Sequence, residues 1–362
     1  MHAGPDPTAP SLESSASSGG ADGVVDPAFR GALSDAVALY RHMVTLRLVS
    51  ARMVDLQRSE KVAFHASCIG EEAVIAAAAL AARPNDWIFP GVREWGAALV
   101  RGFPIADYMH HAFGSRTDAA KGHSPPDHPP ARAYRVGPAS GIAGAHLPQA
   151  VGAAWAAKIK KEDVATIAIF GEGATSSGDF HNAVNFAGVF KPAVVFVCRN
   201  DHREAFASTR ERALAYGVAS ATVDGTDALE VLTVVRAALA RAAEGKGATL
   251  IEAITHPIGA GSPALAKIHT DAWSRGGAEL LSLGTEAHAD PIARLRRVLE
   301  REKLLESGAD EAIAKDVRAA IDAAVADAER AGPPATSTLF DDVYAEVPAH
   351  LRAQKESSPW RR

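Results

Sequence analysis

Residues 164–201 read VATIAIFGEGATSSGDFHNAVNFAGVFKPAVVFVCRND, and this stretch decides the fold. The apolar, partly β-branched run Val164–Phe170 predicts a buried strand, and so does the second apolar run, Ala193–Cys198. The amphipathic segment between the two runs predicts a helix. The same alternation of short apolar runs with helical segments elsewhere in the chain predicts an α/β fold, a doubly wound, mainly parallel sheet covered by helices on both faces.

Glycines and polar residues follow both predicted strands at the point where each strand ends. Gly171-Glu172-Gly173 comes after the first strand, and Arg199-Asn200-Asp201 comes after the second. Ligands of an open α/β sheet bind at the carboxyl ends of its strands, so we expect Glu172 and Asp201 to face one crevice. Two oxygen ligands there, beside glycines that let the backbone approach, suit Mg²⁺ carrying a phosphorylated ligand. The alternative is a structural turn in an ordinary doubly wound sheet.

Two common glycine-loop motifs can be tested against this turn by counting. A dinucleotide fingerprint G-x-G-x-x-G would need glycine at the position of Ser176, and a P-loop counted from Gly173 would need lysine at the position of Asp179. Neither motif fits. The turn fits the thiamine-diphosphate motif instead, in which an acidic residue between glycines is followed, at the next strand end, by a pair of asparagines.

On these residues the chain resembles the alpha subunit of the thiamine-diphosphate-dependent decarboxylating component of 2-oxo acid dehydrogenase complexes. GEGA at 171–174 and the ending LFDDVYAEVPAHLRAQKE at 339–356 are nearer the branched-chain type, whereas GIAGAHLP at 141–148 is nearer the pyruvate type. The resemblance extends over about residues 39–356. It implies a thiamine-diphosphate-binding fold and a 2-oxo acid substrate. It also implies a beta subunit as partner in an α2β2 heterotetramer, and a lipoyl acyltransferase component that receives the acyl group.

The resemblance further implies which residues contact the cofactor. Glu172 and Asp201 match the side-chain ligands of Mg²⁺, and the backbone carbonyl of Arg203 matches a third ligand. The residues that match cofactor contacts of the family are Arg93, Gly141, Ile142, Ala143, Gly171, Glu172, Gly173, Ala174, Arg199 and Asp201. The two arginines in this set are implied to neutralise the phosphates, and the 141–143 backbone to read the aminopyrimidine ring. The activating glutamate is implied to come from the beta subunit, so we assign no catalytic residue here and expect the chain alone to be inactive.

The chain departs from the family pattern at three places. Val92 replaces the usual tyrosine before Arg93, and Asp201 replaces the second asparagine of the pair, with Arg203 in place of another tyrosine. The loop that follows the Ala248 strand reads IGAGSP at 258–263 and lacks the family's histidine. His256 or His269 could substitute for it only if the loop takes a different path.

Two hypotheses therefore stay open. The intact GEGA motif, Arg93, Arg199 and the GIAGA turn favour an enzyme subunit that performs oxidative decarboxylation with thiamine diphosphate. The departures favour a non-catalytic or specialised paralogue that keeps the fold and the subunit assembly. A third interpretation is an acetoin-cleaving or transketolase-like enzyme.

The composition bears on class and compartment. At 362 residues and 47% hydrophobic, the chain can build one large α/β domain or two smaller ones, and a net charge of −5 argues against a nucleic-acid partner. Cys68 and Cys198 lie in apolar surroundings, which favours buried reduced thiols over a disulfide or a metal site. No apolar run approaches the roughly twenty residues of a membrane helix, and the N-terminus has neither a signal-peptide nor a transit-peptide pattern. We expect a cytoplasmic protein with no membrane association.

Segments outside the central unit also carry predictions. Residues 1–28 are expected to be a disordered tail, 29–332 the α/β domain, and 333–362 a linker with a capping or interface segment. Helical periodicity predicts a long helix over 33–61, a helix over 227–243 and surface helices over 290–331. Further strands are predicted over 86–89, 219–224 and 248–255. The stretch at 118–135, rich in proline and histidine, predicts irregular structure.

Two groups of charged or titratable residues have simple explanations at this level. His110, His111, His123 and His128 invite a zinc interpretation, yet no cysteines accompany them, so surface histidines are favoured. Glu71 and Glu72 open a predicted helix, where charge complementarity with the helix N-terminus explains them without chemistry.

Overall fold

A computed structural model describes residues 31–201, 208–256, 258, 290–306, 308–341 and 344–358. Its centre is a five-stranded sheet in which every neighbouring pair is parallel and the strand order is β1-β2-β3-β5-β4. The strands are β1 (Trp87–Pro90), β2 (Thr166–Gly171), β3 (Val194–Asn200), β4 (Ala219–Asp224) and β5 (Thr249–Ile254). The predicted doubly wound parallel sheet is confirmed, and each described strand lies where an apolar run predicts it.

Helices cover both faces of the sheet. One layer contains α1 (Ala36–Arg58), α2 (Glu72–Ala81), α3 (Gly96–Val100), α4 (Ile105–Ala112), α8 (Ala228–Ala243), α9 (Pro291–Arg301) and α10 (Ala309–Ala331). The other contains α5 (His146–Lys160), α6 (Gly178–Phe190) and α7 (Thr209–Ala215). Successive strand side chains alternate between the layers: Val195 packs in the first and Phe196 in the second. This two-sided burial explains why the central strands β2 and β3 contain continuous apolar runs.

Short elements complete the described chain. Single 3₁₀ turns span Val92–Glu94, Arg132–Tyr134 and Glu172–Ser176, and the C-terminal segment forms α11 (Thr338–Asp341) and α12 (Ala349–Ser357). The 118–135 stretch is otherwise turns and extended chain, as its prolines predict. The expected tail lies outside the described residues, and the three-part division of the chain stays a prediction.

One buried ion cluster ties three helices of the first layer together. Arg47 of α1 donates from Nε to Glu72 of α2 at 2.7 Å, and from Nη1 to both carboxylate oxygens of Asp290 at 2.9 Å. All three side chains are at most 1% exposed. Asp290 also caps α9 by accepting from the Ile292 amide. Glu72 therefore does more than complement the N-terminus of its own helix, which corrects the simple sequence interpretation.

The histidine prediction is wrong for two of the four residues. His110 and His111 of α4 are both buried, and Nε2 of His110 lies 3.2 Å from Oδ2 of Asp327 in α10. The Nδ1 atom of His111 is 3.1 Å from Asp118 Oδ1, and that of His110 is 2.9 Å from Ser115 Oγ. These partners satisfy the rings inside the layer, while His123 is exposed as predicted. Within the described ranges no group of three or more His, Cys, Asp or Glu residues is arranged to hold a metal ion.

Two further predictions concern thiols and membranes. Cys68 and Cys198 are both free and fully buried, which confirms their interpretation as structural thiols. In the part of the chain that the structure describes, no helix combines the length and apolarity required to cross a bilayer. The cytoplasmic location stays a prediction.

Candidate active site

The glycine turn after β2 lies at the edge of the sheet where β3 also ends. Gly171 pairs in register with Arg199, so Glu172 and Asp201 follow neighbouring strand ends. After the 3₁₀ turn, Ser177 caps α6 by accepting from the Phe180 amide. The strand-turn-helix order predicted from sequence therefore brings both acidic residues to one edge.

Glu172 and Asp201 face each other directly. Burial raises the pKa of the Glu172 carboxyl, and the charge of Asp201 and a side-chain hydrogen bond to it raise the pKa further. Arg199 acts in the opposite direction. Two carboxyl groups in hydrogen-bond contact must share a proton or a cation, because two bare negative charges at this distance repel. The pair is therefore a candidate cation site.

A cleft of about 280 Å³ opens beside this pair. Its lining consists of Gly91, Val92, Arg93, Glu94, Ser140, Gly141, Ile142, Ala143, Gly144, His146, Phe170, Gly171, Glu172, Gly173, Ala174 and Arg199. Every cofactor contact implied by the resemblance is in this set except Asp201, which contacts Glu172 instead. A larger cavity of about 430 Å³ lies among the C-terminal helices and contains none of those residues. The cleft at the strand ends is therefore the candidate active site.

The loop that forms the opposite wall needs glycine at one position. Gly144 has a φ of +83°, and a Cβ there would lie 2.5 Å from Ser177 Oγ, the oxygen that caps α6. Any larger residue would be strained and would displace that cap. Gly141, Ile142 and Ala143, just before it, are exposed at the rim of the cleft.

Two carboxylates compensate the deeper arginine of the cleft. Arg199 donates from Nε to Glu94 Oε1 at 2.7 Å and also forms an ion pair with Glu71. Burial lowers the pKa of Arg199, but the two carboxylates raise it by more, so the guanidinium stays charged. Arg93 Nη1 lies 3.9 Å from Glu71, and its side chain is 36% exposed. Arg93 is thus the more accessible cation, and contact of either arginine with phosphates stays a prediction.

This ion network corrects the sequence interpretation of Glu71 and identifies a residue that sequence reasoning missed. Glu71 bridges the two arginines and makes no side-chain cap to its helix. Glu94 adjoins Arg93 in the strand-end motif, and a carboxylate beside a motif arginine was the signal available. Neither carboxylate could be paired with Arg199 from sequence, because Glu94 is 105 positions away.

The sequence of the chain matches the family described as "Dehydrogenase E1 component" over residues 40–337. The chain belongs to the dehydrogenase E1 component family. Its relatives include 2-oxoisovalerate dehydrogenase subunit alpha of Bacillus subtilis, 34% identical over 86% of this chain and 96% of the relative. The mitochondrial subunit alpha 2 of Arabidopsis thaliana is 32% identical over 88% of this chain and 68% of the relative. The human mitochondrial subunit alpha is 32% identical, over 88% and 72%.

These matches confirm the resemblance seen in the motifs. They also confirm the predicted function at the level of the family, which is that of an alpha subunit of a 2-oxo acid dehydrogenase, an oxidoreductase. All three relatives carry the name of the branched-chain type. They give no support to the alternative of a non-catalytic paralogue.

One residue of this E1 cleft has an unsatisfied acceptor. His146, the first residue of α5, is 2% exposed and lines the cleft, and its Nε2 donates to the Ile169 carbonyl at 2.9 Å. That bond leaves the lone pair on Nδ1, which is buried and has no hydrogen-bond partner in the described residues. Burial lowers the pKa of His146, so the ring is neutral. Sequence reasoning missed it, although it stands inside the GIAGAHLP motif.

Some of the residues that depart from the family pattern are described by the structure, and others are not. Val92 lines the cleft as the replacement for a tyrosine, and Asp201 lies against Glu172. Arg203, His269 and the 259–263 run lie outside the described residues. His256 is described and exposed.

Proposed function

We propose that this chain binds thiamine diphosphate through Mg²⁺ in the cleft at the ends of β2 and β3. Together with a beta subunit it decarboxylates a 2-oxo acid of the branched-chain type and passes the acyl group to a lipoyl carrier. The observation that carries the proposal is the contact of Asp201 with Glu172, which lines a cleft together with the remaining matched residues. Thiamine diphosphate supplies the electron sink for the loss of CO₂.

The charges of the cleft fit a divalent cation. Among the described residues, Arg93 and Arg199 lie near four acidic side chains, those of Glu71, Glu94, Glu172 and Asp201. One or two carboxylates are the ligands that Mg²⁺ takes from proteins, alongside phosphate oxygens and water. At Gly173 a Cβ would meet no atom within 4 Å, so the backbone faces open space. These residues therefore fit a magnesium-bound diphosphate.

Each residue of the proposed site has a task within this chain. Glu172 and Asp201 hold the cation, with the backbone carbonyl of Arg203 as a third ligand. Arg93, which is partly exposed, contacts the diphosphate oxygens. Arg199 compensates the negative charges of Glu71 and Glu94. The neutral His146 offers a hydrogen-bond acceptor to an N–H or O–H group.

A partner chain is part of the proposal because the cleft is open at one rim. Ile142, a large apolar residue at this rim, is 71% exposed. Burial of such a side chain against another subunit would remove apolar surface from water. A beta subunit in an α2β2 assembly would cover this rim and supply the activating glutamate, and the lipoyl acyltransferase component would receive the product.

The test is co-expression with a candidate beta subunit, followed by co-purification and an assay of 2-oxo acid decarboxylation. We expect a stable complex whose turnover of branched-chain 2-oxo acids requires both thiamine diphosphate and Mg²⁺, and no turnover by this chain alone. A complex that forms but turns over none of the 2-oxo acids would favour the specialised paralogue instead.

Asp201→Asn is expected to keep or tighten binding of the magnesium–thiamine diphosphate complex. The substitution retains an oxygen ligand and removes one of the surplus carboxylates that face a polyanion. We expect a dissociation constant by calorimetry within about tenfold of wild type, that is, within about 1.4 kcal/mol. Asp163→Asn, at a side chain that is 80% exposed, is the matched control. A loss much larger than tenfold would show that the charge of Asp201 is required.

A further inference from the structure

A buried carboxylate that the proposed chemistry does not use lies beside the cation site. Glu252 interrupts the apolar run of β5 and is only 3% exposed. It pairs in register with Cys198 of β3, two residues before the end of that strand. A carboxylate buried at such a position destabilises the folded protein unless hydrogen bonds replace the water that it loses.

The compensation comes from residues on either side of the segment that contains Asp201. Glu252 Oε1 accepts from Asn200 Nδ2 at 2.9 Å and from the Thr209 amide at 3.0 Å. Its Oε2 accepts from Ser208 Oγ at 2.7 Å. Asn200 therefore donates from the position directly before Asp201, and Ser208 and Thr209 donate from positions after it.

These donors stabilise the ionised form of the carboxylate. Burial raises the pKa of Glu252, but hydrogen bonds from Ser208, Asn200 and backbone amides lower it by more, with a net decrease. A charged acceptor makes stronger hydrogen bonds than a neutral one. The backbone of Asn200 is held as well, because its carbonyl accepts from the Thr255 amide at 2.8 Å.

We propose that Glu252 is a positioning residue that fixes Asn200, and thereby holds the carboxylate of the adjoining Asp201 opposite Glu172. Through these hydrogen bonds Glu252 sets the affinity of the cleft for its divalent cation without touching it. The inference rests on the proposed function for its ligand. In this inference Asn200, the first residue of the pair, donates to Glu252. Asp201, the second residue, is a ligand of the cation.

The test compares Glu252→Gln with wild type in the full chain assembled with its beta subunit. Glutamine keeps the shape but removes the negative charge and one acceptor oxygen, so the charge-assisted hydrogen bonds from Asn200, Ser208 and the Thr209 amide weaken or are lost. Loss of an outer partner of a ligand typically costs 10- to 100-fold in metal affinity, so we expect binding of Mg²⁺ with thiamine diphosphate to weaken at least about tenfold by calorimetry.

Asp86→Asn is the matched control for a purely structural role. Asp86 is fully buried just before β1, at the opposite end of the sheet from the cleft, and accepts from the Ala165 amide at 2.8 Å. We expect this variant to lower the melting temperature and leave cofactor affinity unchanged. Should Glu252→Gln weaken cofactor binding no more than Asp86→Asn does, the positioning role is overturned.

A measurement on the ligand-free chain distinguishes a failure of this inference from a failure of the proposed function. Hydrogen exchange of the full chain alone should show faster exchange of the Thr209 amide in Glu252→Gln than in wild type. Equal exchange would overturn the inference, whereas a wild-type complex that fails to bind magnesium–thiamine diphosphate would overturn the proposed function. If Glu252→Gln does not fold, Ser208→Ala removes a single donor and should weaken cofactor binding about twofold to fivefold, within the context-dependent range of one hydrogen bond. Unchanged affinity in that variant would count against the inference.

Discussion

Glu172→Ala is expected to abolish Mg²⁺-dependent binding of thiamine diphosphate by the assembled complex. The substitution removes one of the two carboxyl groups that meet beside the cleft, and Mg²⁺ depends on one or two such ligands in addition to phosphate and water. We expect at least about a hundredfold increase in the dissociation constant measured by calorimetry, equivalent to about 2.8 kcal/mol. Decarboxylation should fall in parallel.

This substitution also makes a prediction about the chain without ligand. Burial and the nearby Asp201 raise the pKa of Glu172, which means that the folded chain opposes its ionisation. Removal of the carboxyl should therefore leave the melting temperature of the ligand-free protein unchanged or slightly higher. Glu162→Ala, which removes a carboxylate that is 54% exposed, should affect neither measurement. Unchanged cofactor affinity in Glu172→Ala would refute the metal assignment.

Arg47→Met is expected to cause the largest loss of stability among these substitutions. Arg47 is fully buried between Glu72 and Asp290, and methionine would leave both carboxylates without their cation. Removal of one partner of a buried ion cluster typically costs about 3–5 kcal/mol, because a buried charge is left uncompensated. We expect the free energy of unfolding measured in urea to fall by this amount, together with weaker docking of α1 on α2 and α9.

The control for Arg47→Met is the same substitution at a surface ion pair. Lys61 contacts Glu329 at 2.5 Å, but the two side chains are 49% and 41% exposed, and solvent screens their attraction. Lys61→Met should therefore change stability by less than about 1 kcal/mol. A similar small effect of Arg47→Met would show that the cluster contributes little to the fold.

Much of the fold and part of the site were predictable from local pattern. Strands buried on both faces are mostly apolar, so β2 and β3 stand out as continuous runs and β5 as a run interrupted only by Glu252. Parallel strands place their carboxyl ends at one edge, which is why Glu172 and Asp201 could be expected to meet. The motifs at 93, 141–143 and 171–174 line one cleft because each follows a strand or opens a helix at that edge.

Buried polar partners were not predictable in the same way. Glu71 and Glu72 adjoin in sequence, yet one belongs to the cleft network with Arg199 and the other to the structural cluster with Arg47. His110 and His111 were expected at the surface, because a polar residue gives no sign of which helix will cover it. Glu252 and Asn200 are 52 positions apart, and their pairing depends on the adjacency of β3 and β5.

By itself, the sequence of this E1 family member determined the order of strands and helices, the edge of the sheet at which the candidate site lies and the acidic pair at that edge. These follow from periodicity and from residues that adjoin in the chain, which act over a few positions. Only the tertiary structure decided which carboxylate compensates Arg199, that His146 has a free acceptor in the cleft, and that Glu252 accepts hydrogen bonds from Asn200 and Ser208. Such contacts join residues distant in sequence, and burial in a medium of low dielectric makes each of them energetically significant.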